Sequence, residues 1–581
     1  MKTLRVLALA LFSAFAMVGL GESGSPLTAA DVKADLKAQR IKAREEAAKK
    51  AADEAKKVEE AKKVADAKAA ELAKKAAADA KKTVSRPPAL QDAPAVAKMI
   101  DGHIDSRLKK DNLPVSPVGT DADFLRRVYL DITGVIPPYD KAKAFLDDKS
   151  TTKREKLIDE LLGDSHYGRK QADIWGAKLF TVDSENRFVQ KEPFTDWLKD
   201  QFNQNTPWNE FVTSIVTAAG PVDENPAVTY FLSNRSIDKL TDTTGQHFLG
   251  VRINCAQCHN HPFTSTKQNE YWGLAAFYSK VVPQRPKNAV MGGDNTKLTV
   301  TEGATKSRTK EFFPESAKTV APKFFGGDEP KLSGAEPYRP ALAKWLTSAE
   351  NPYFAKAMVN RTWAQFFGNG IVDPVDDMID TNKPSHPELF EELSAKFTAS
   401  GFDVKYLIKC ITLSQAYQRT SKPSPSNKKD DQLYSHMSVK MMSGEELFDS
   451  LAVVTGLATA APDVKRPGMR YGNAGPRANF VTFFLAGADE VKSTTYEAGI
   501  PQALKLMNSR IAGNPAALKQ FGTGKPADIF EKMYITTLAR RPTAAEIQKL
   551  STHLSKASSP TEGYSDILWV LLNSSEFSMV R

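Results

Sequence analysis

Residues 255–263 read Cys-Ala-Gln-Cys-His-Asn-His-Pro-Phe and contain two of the chain's three cysteines. A Cys-x-x-Cys-His run is the attachment signal of c-type haem. Two thiols three positions apart can each form a thioether with a haem vinyl group, and the adjacent imidazole then serves as the proximal iron ligand. On this reading Cys255 and Cys258 carry a covalent haem c and His259 takes the iron. Three other readings stay open. Cys255 and Cys258 can close a redox disulfide, although the βαβ context of such motifs is missing. Cys255, Cys258, His259 and His261 all suit zinc, but four ligands within seven residues are cramped, since most structural sites draw on two separated pairs. The run can also be a structural remnant without a cofactor. Candidates for a sixth iron ligand are His247, His261 and His386, with Met291 and Met358 behind them. His247 stands at helical distance before the motif, whereas His261 is too near His259 in sequence to reach the opposite iron face easily. Trp272, Phe277 and Tyr278 follow closely, either as cover for the macrocycle or as core residues.

Little else in the chain has the spacing of a reactive site. Cys410 falls between Leu407, Ile411 and Ser414, which is the setting of a buried core thiol. No Gly-x-Ser-x-Gly, P-loop or dinucleotide fingerprint occurs. The aromatic stretch of Trp175, Phe180, Phe194, Trp197, Phe202, Trp208 and Phe211 reads as core rather than as a sugar platform. Together with the paired carboxylates Asp376-Asp377 it is the only support for a different function, a non-redox surface or carbohydrate-processing protein.

The elements that must position the motif are mostly helices, and the expected fold is mainly α: two helical bodies with a small β-containing excursion between them. Asp123 through Leu130 and Lys153 through Leu162 carry aliphatics at helical spacing, with a turn at Gly134 to Pro138. Residues 96–285 make the first body and hold the motif. Residues 286–335 form the excursion, where Lys297-Leu-Thr-Val-Thr301 alternates like a strand. Residues 336–581 make the second body. There Asn351-Pro352 predicts a helix start, with Asn as cap and Pro at the first helical position, and Gly368-Asn369-Gly370 predicts its end. Ser385 with Glu388, and Thr543 with Glu546, have capping-box spacing.

Ahead of these bodies stand two other segments. Lys2 and Arg5 precede the apolar run Val6–Leu20 and a small, polar stretch, the layout of a signal peptide over residues 1–21; the run is short for a membrane span. Residues 30–82 are rich in Ala, Lys and Glu, with acid-to-base i,i+4 pairs such as Glu45 with Lys49 and Asp53 with Lys57. They predict a long, charged, solvated helical spacer without a sustained heptad seam. The chain has 581 residues and a net charge of +10. The first 30 residues contribute +1 and residues 31–82 contribute +5, which leaves +4 for everything after. So nearly neutral a remainder does not indicate a basic groove for nucleic acid.

Several runs join the motif in a resemblance. Phe124-Leu-Arg-Arg-Val-Tyr-Leu-Asp-Ile-Thr-Gly134, Lys153-Arg-Glu-Lys-Leu157 and Phe248-Leu-Gly-Val251 leading into Cys255 through Phe263 resemble the planctomycete cytochrome-type domain of unknown function. Asn360-Arg-Thr-Trp363, Phe366-Phe-Gly368, Pro384-Ser-His-Pro-Glu-Leu389, Pro501-Gln-Ala-Leu504 and Leu571-Leu-Asn-Ser574 resemble its usual C-terminal partner, the planctomycete-specific PSD domain. The ending Ser578-Met-Val-Arg581 departs from that domain's more usual polar, Asn/His-containing end. The resemblance implies a secreted, periplasmic or cell-surface protein and supplies no reaction. With the motif it leads to the expectation of an exported c-type haem protein, in electron transfer or a haem-dependent redox role. Its expected partners are redox proteins or cell-envelope components, with no nucleic acid and no membrane span once the signal peptide is cleaved.

Overall fold

The computed structural model describes residues 92–180, 189, 191–284, 298–303, 320–456, 476–485 and 515–581, all within the unit Ala80–Arg581. The signal peptide, the charged spacer, Met291 and Pro501-Gln-Ala-Leu504 lie outside the described residues. What is described is mainly α-helical with a few short strands, and no described helix is long and apolar enough to cross a membrane.

The helix starts follow local chemistry. The helix Asp121–Thr133 begins where Thr120 Oγ1 accepts from the Asp123 amide at 3.2 Å, with Asp121 and Asp123 in the first turn complementing the helix dipole. Gly134, at φ 73°, ends it in the left-handed conformation. The capping box at Thr543 and Glu546 forms as expected over Ala544–Lys556.

Two other expected starts differ. The helix after Asn351 runs Phe354–Phe367, so Pro352 stands before it rather than at its first position. Asn351 still caps, its Oδ1 accepting from the amides of Tyr353 at 2.9 Å and Phe354 at 3.1 Å. The helix Pro387–Ala399 has His386 as its capping residue and no capping box. Ser385 is drawn away instead, its amide and hydroxyl both donating to the Ile371 carbonyl, at 2.8 and 3.2 Å.

The β content is small and does joining work. Strand β1 is Gly220–Pro221, β2 Val281–Gln284 and β3 Thr299–Glu302, in the antiparallel order β1-β3-β2. Thus the alternating run before residue 302 is a strand, paired with both earlier segments. Glu302 then grips the start of the second body. Its carboxylate accepts from the Tyr338 and Arg339 amides at 2.6 and 3.1 Å and from Arg339 Nε at 3.0 Å. The remaining strands, β4 Lys440–Met441 and β5 Met579–Val580, pair antiparallel, so Met579 and Val580 belong to the fold.

The larger apolar core draws on residues from Ala93 to Ala539, on both sides of the 286–335 segment. Trp175, Phe194, Trp208 and Phe211 belong to it, with Trp175 and Trp208 rings 4.5 Å apart. The aromatic stretch is core. Cys410 is fully buried there, and burial pushes its thiol up to about 12. A smaller core joins Leu130 and Ile136 to residues between Met442 and Val580.

Candidate functional site

Three consecutive devices lead into the Cys-x-x-Cys-His run. The helix Ile237–Thr244 passes directly into a π-helical turn, Gly245–Leu249. Such wide turns are rare and often mark functional positions. Gly250 then reverses the chain at φ 69°, and a Cβ there would run into the Met378 side chain. The Val251 amide donates back to the Gly245 carbonyl at 3.0 Å, and Ile253 packs over Gly245.

The motif begins on a single 3-10 turn, Asn254–Gln257. Ala256 is fully buried and anchors the turn, while Cys255 and Cys258 are exposed free thiols. The next helix, Gln268–Ala276, fixes it from the far side. Gln257's carbonyl accepts from Gln268 Nε2 at 3.0 Å and from Trp272 Nε1 at 3.1 Å. The Gln268 amide donates to Asn260 Oδ1 at 3.0 Å. Backbone, amide and indole contacts thus hold the turn, while the sulfurs stay outside.

His259 is exposed, and its Nδ1 lies 2.7 Å from the Asn260 carbonyl oxygen. A carbonyl there selects the tautomer with the proton on Nδ1, which leaves the Nε2 lone pair for a metal. His261 is turned otherwise. Its Nδ1 accepts from the Phe263 amide at 3.3 Å, and its own amide donates to the Thr266 carbonyl at 2.9 Å. Phe263 is 76% exposed beside it. These residues fit a covalently attached haem: two accessible thiols on one turn and an imidazole braced through the nitrogen that would not face iron. Among the described residues, no group of three or more His, Cys, Asp or Glu side chains is gathered as a metal ion alone would need.

The other candidates are distributed through the fold. His247 lies in the π-helical turn, near Arg361, Lys178 and Asp376. His386 is buried against Tyr434, ring centroids 5.4 Å apart. Met358 is a core residue of helix Phe354–Phe367. Trp272, Phe277 and Tyr278 are all buried in the larger core, with the Tyr278 hydroxyl 2.7 Å from Thr244 Oγ1. Asp376 is an ion-pair partner of Arg361. The supports of the motif turn were not visible in the residue pattern, because they meet at main-chain oxygens: the Gln257 carbonyl, bonded by the Gln268 and Trp272 side chains, and the Asn260 carbonyl behind His259.

One ionisable pair stands behind the motif. Tyr271's hydroxyl donates to Asp242 Oδ1 at 3.1 Å. Burial, reinforced by nearby Asp238, raises the Asp242 carboxyl to about 6 despite that bond. Burial and the same Asp242 charge push the Tyr271 phenol far up, with Cys258 adding a smaller effect.

Residues 99–282 match the family model of PSCyt2, a protein of unknown function (DUF1549). Residues 338–554 match that of PSD1, a protein of unknown function (DUF1553). No curated protein and no solved structure matches the chain. The motif turn lies inside the first match and the helix bearing Arg361 inside the second. The chain is therefore a PSCyt2 region followed by a PSD1 region, in the order that its sequence motifs indicate.

Proposed function

We propose that the chain is an exported c-type haem protein, in which Cys255 and Cys258 would hold the haem and His259 its iron, serving electron transfer or a haem-dependent redox reaction. The observation that carries this reading is the exposed turn on which both thiols and a carbonyl-braced imidazole stand together. The bound group would supply one-electron chemistry. The Asn260 carbonyl would hold the His259 ring in one tautomer and raise its basicity toward iron. Gln268 and Trp272, fixing Gln257, would keep the sulfurs at a constant separation. Pro262 and exposed Phe263 offer apolar surface beside the macrocycle, where a redox partner protein or envelope component could dock. The charged spacer and the signal-like N-terminus support placement outside the cytoplasm, in the periplasm or at the cell surface.

Absorption spectroscopy tests this on protein matured in an exporting, haem-competent host. The expected result is a Soret band that His259→Ala shifts in position without removing. A featureless visible spectrum from such protein would overturn the proposal.

A further inference from the structure

Away from the motif, the PSCyt2 and PSD1 regions meet at a cluster of charges that does not balance. The helix Ser165–Leu179 contributes Lys178, the π-helical turn contributes His247, and helix Phe354–Phe367 contributes Arg361. Asp376 is the carboxylate they share. Arg361 is only 8% exposed and lies over the Trp175 ring, its guanidinium carbon 5.7 Å from the centroid. Its Nη2 donates to Asp376 Oδ1 and, at 3.1 Å, to the Gln246 carbonyl. Gln246 Nε2 takes the other carboxylate oxygen, Asp376 Oδ2, at 2.9 Å. Both Asp376 oxygens are therefore already engaged by Arg361 and Gln246.

What remains points to a missing anion. Arg361 Nε and His247 Nδ1 are both buried without a hydrogen-bond partner. Lys178 is half-buried near Arg361 and forms no ion pair among the described residues. Buried donors are normally satisfied, and Arg361 Nε is a donor without a partner, whereas the neutral His247 leaves Nδ1 unprotonated. Two cations against one carboxylate leave a positive excess in a poorly solvated place. The consequences are felt by the groups themselves. Burial, then the Arg361 charge, draws the Lys178 ammonium down to about 8. Burial, with Arg361 and Lys178 beside it, holds His247 well below its usual range, so its imidazole is neutral while the cluster lacks an anion.

We infer that Lys178, His247 and Arg361 form a binding site for a small oxyanion, a carboxylate or phosphate group, at the junction of the PSCyt2 and PSD1 regions. An oxyanion there accepts from Arg361 Nε and from the Lys178 ammonium, and from His247 Nδ1 once its charge draws a proton onto that nitrogen. Its negative charge also offsets the excess of cations. The donors come from both family regions, so the site exists only when the two are joined. None of its residues belongs to the Cys-x-x-Cys-His turn, and a His247 that serves the oxyanion is not the sixth iron ligand.

Calorimetric titration of the full chain at pH 7 with sodium phosphate and with sodium acetate, against sodium chloride of equal ionic strength, tests the site. Saturable binding of phosphate, acetate or both, beyond chloride, is expected, and whichever anion responds identifies the oxyanion class. Lys178→Met should weaken that binding about tenfold or more. His247→Phe should weaken it too, which keeps the test decisive if one variant folds poorly. Chloride-like behaviour of both anions, or unchanged binding in two folded variants, would overturn the inference.

Discussion

His386, at the start of helix Pro387–Ala399, is only 3% exposed, and its Nε2 is buried without a partner. Its Nδ1 lies 3.1 Å from Ser385 Oγ, and the Tyr434 ring covers it. Burial, with Arg107 and His103 nearby and Asp430 and Asp111 opposing them, draws the imidazole down from 6.5 to about 4. A histidine neutral in the fold and protonated in the unfolded chain contributes stability that is fully present above pH 6.5. That stability is lost as pH falls toward 4. Each tenfold change in proton affinity is worth about 1.4 kcal/mol, so the loss is on the order of 2–3 kcal/mol. Urea midpoints at pH 7.5 and 4.5 should therefore fall further apart in the natural chain than in His386→Gln. Equal losses in both would show that the acid sensitivity lies elsewhere.

Between residue and fold, the motif depends on the turn that precedes it. Gly250 needs a positive φ, and the Met378 side chain occupies the space of a Cβ. Gly250→Ala should cost about 1–3 kcal/mol, combining a left-handed backbone with crowding. Thermal unfolding would register a melting temperature several degrees lower, while an unchanged value would mean that Met378 yields freely. Much at this scale was legible in the sequence. Aliphatics at helical spacing located Asp121–Thr133 and Lys153–Gly163 to within a few residues, and Gly134 and Gly368 ended helices where expected. Local capping signals read less well where tertiary bonds competed. Ser385 had the spacing of a cap but is tied to Ile371, fourteen residues away. The Cys-x-x-Cys-His run announced itself by spacing alone. Its carbonyl supports did not, since a backbone oxygen has no residue type. The Lys178, His247 and Arg361 cluster was illegible for another reason: its members come from three elements that only tertiary folding brings together.

The PSCyt2 and PSD1 regions are tied through buried charge as well as through the shared core. Asp131, in the first, accepts from Lys440 Nζ at 2.6 Å and from the Tyr417 hydroxyl at 2.8 Å, both in the second. Lys440 also donates to the Gln365 and Phe366 carbonyls, at 2.8 and 2.9 Å. Asp131 and Lys440 are 4% and 5% exposed. Removing one partner strands the other's charge, so Asp131→Asn should destabilise the chain by about 3–5 kcal/mol. Asp131→Leu combined with Lys440→Met should recover much of that loss, because no charge is then left unpaired. Denaturant unfolding of the three proteins checks this; a double variant no better than Asp131→Asn would deny that the pair bridges the regions.

At the same scale, the exposed turn of Cys255, Cys258 and His259 stands on a mainly helical body, and that turn is expected to bear a cofactor. Mass spectrometry of the denatured, acid-extracted protein from a haem-competent exporting host decides it. A haem adduct should survive extraction, map to the peptide containing Cys255 and Cys258, and vanish when both are changed to Ala. An unmodified peptide from the natural chain, whether its two thiols are free or joined in a disulfide, would contradict the cytochrome reading.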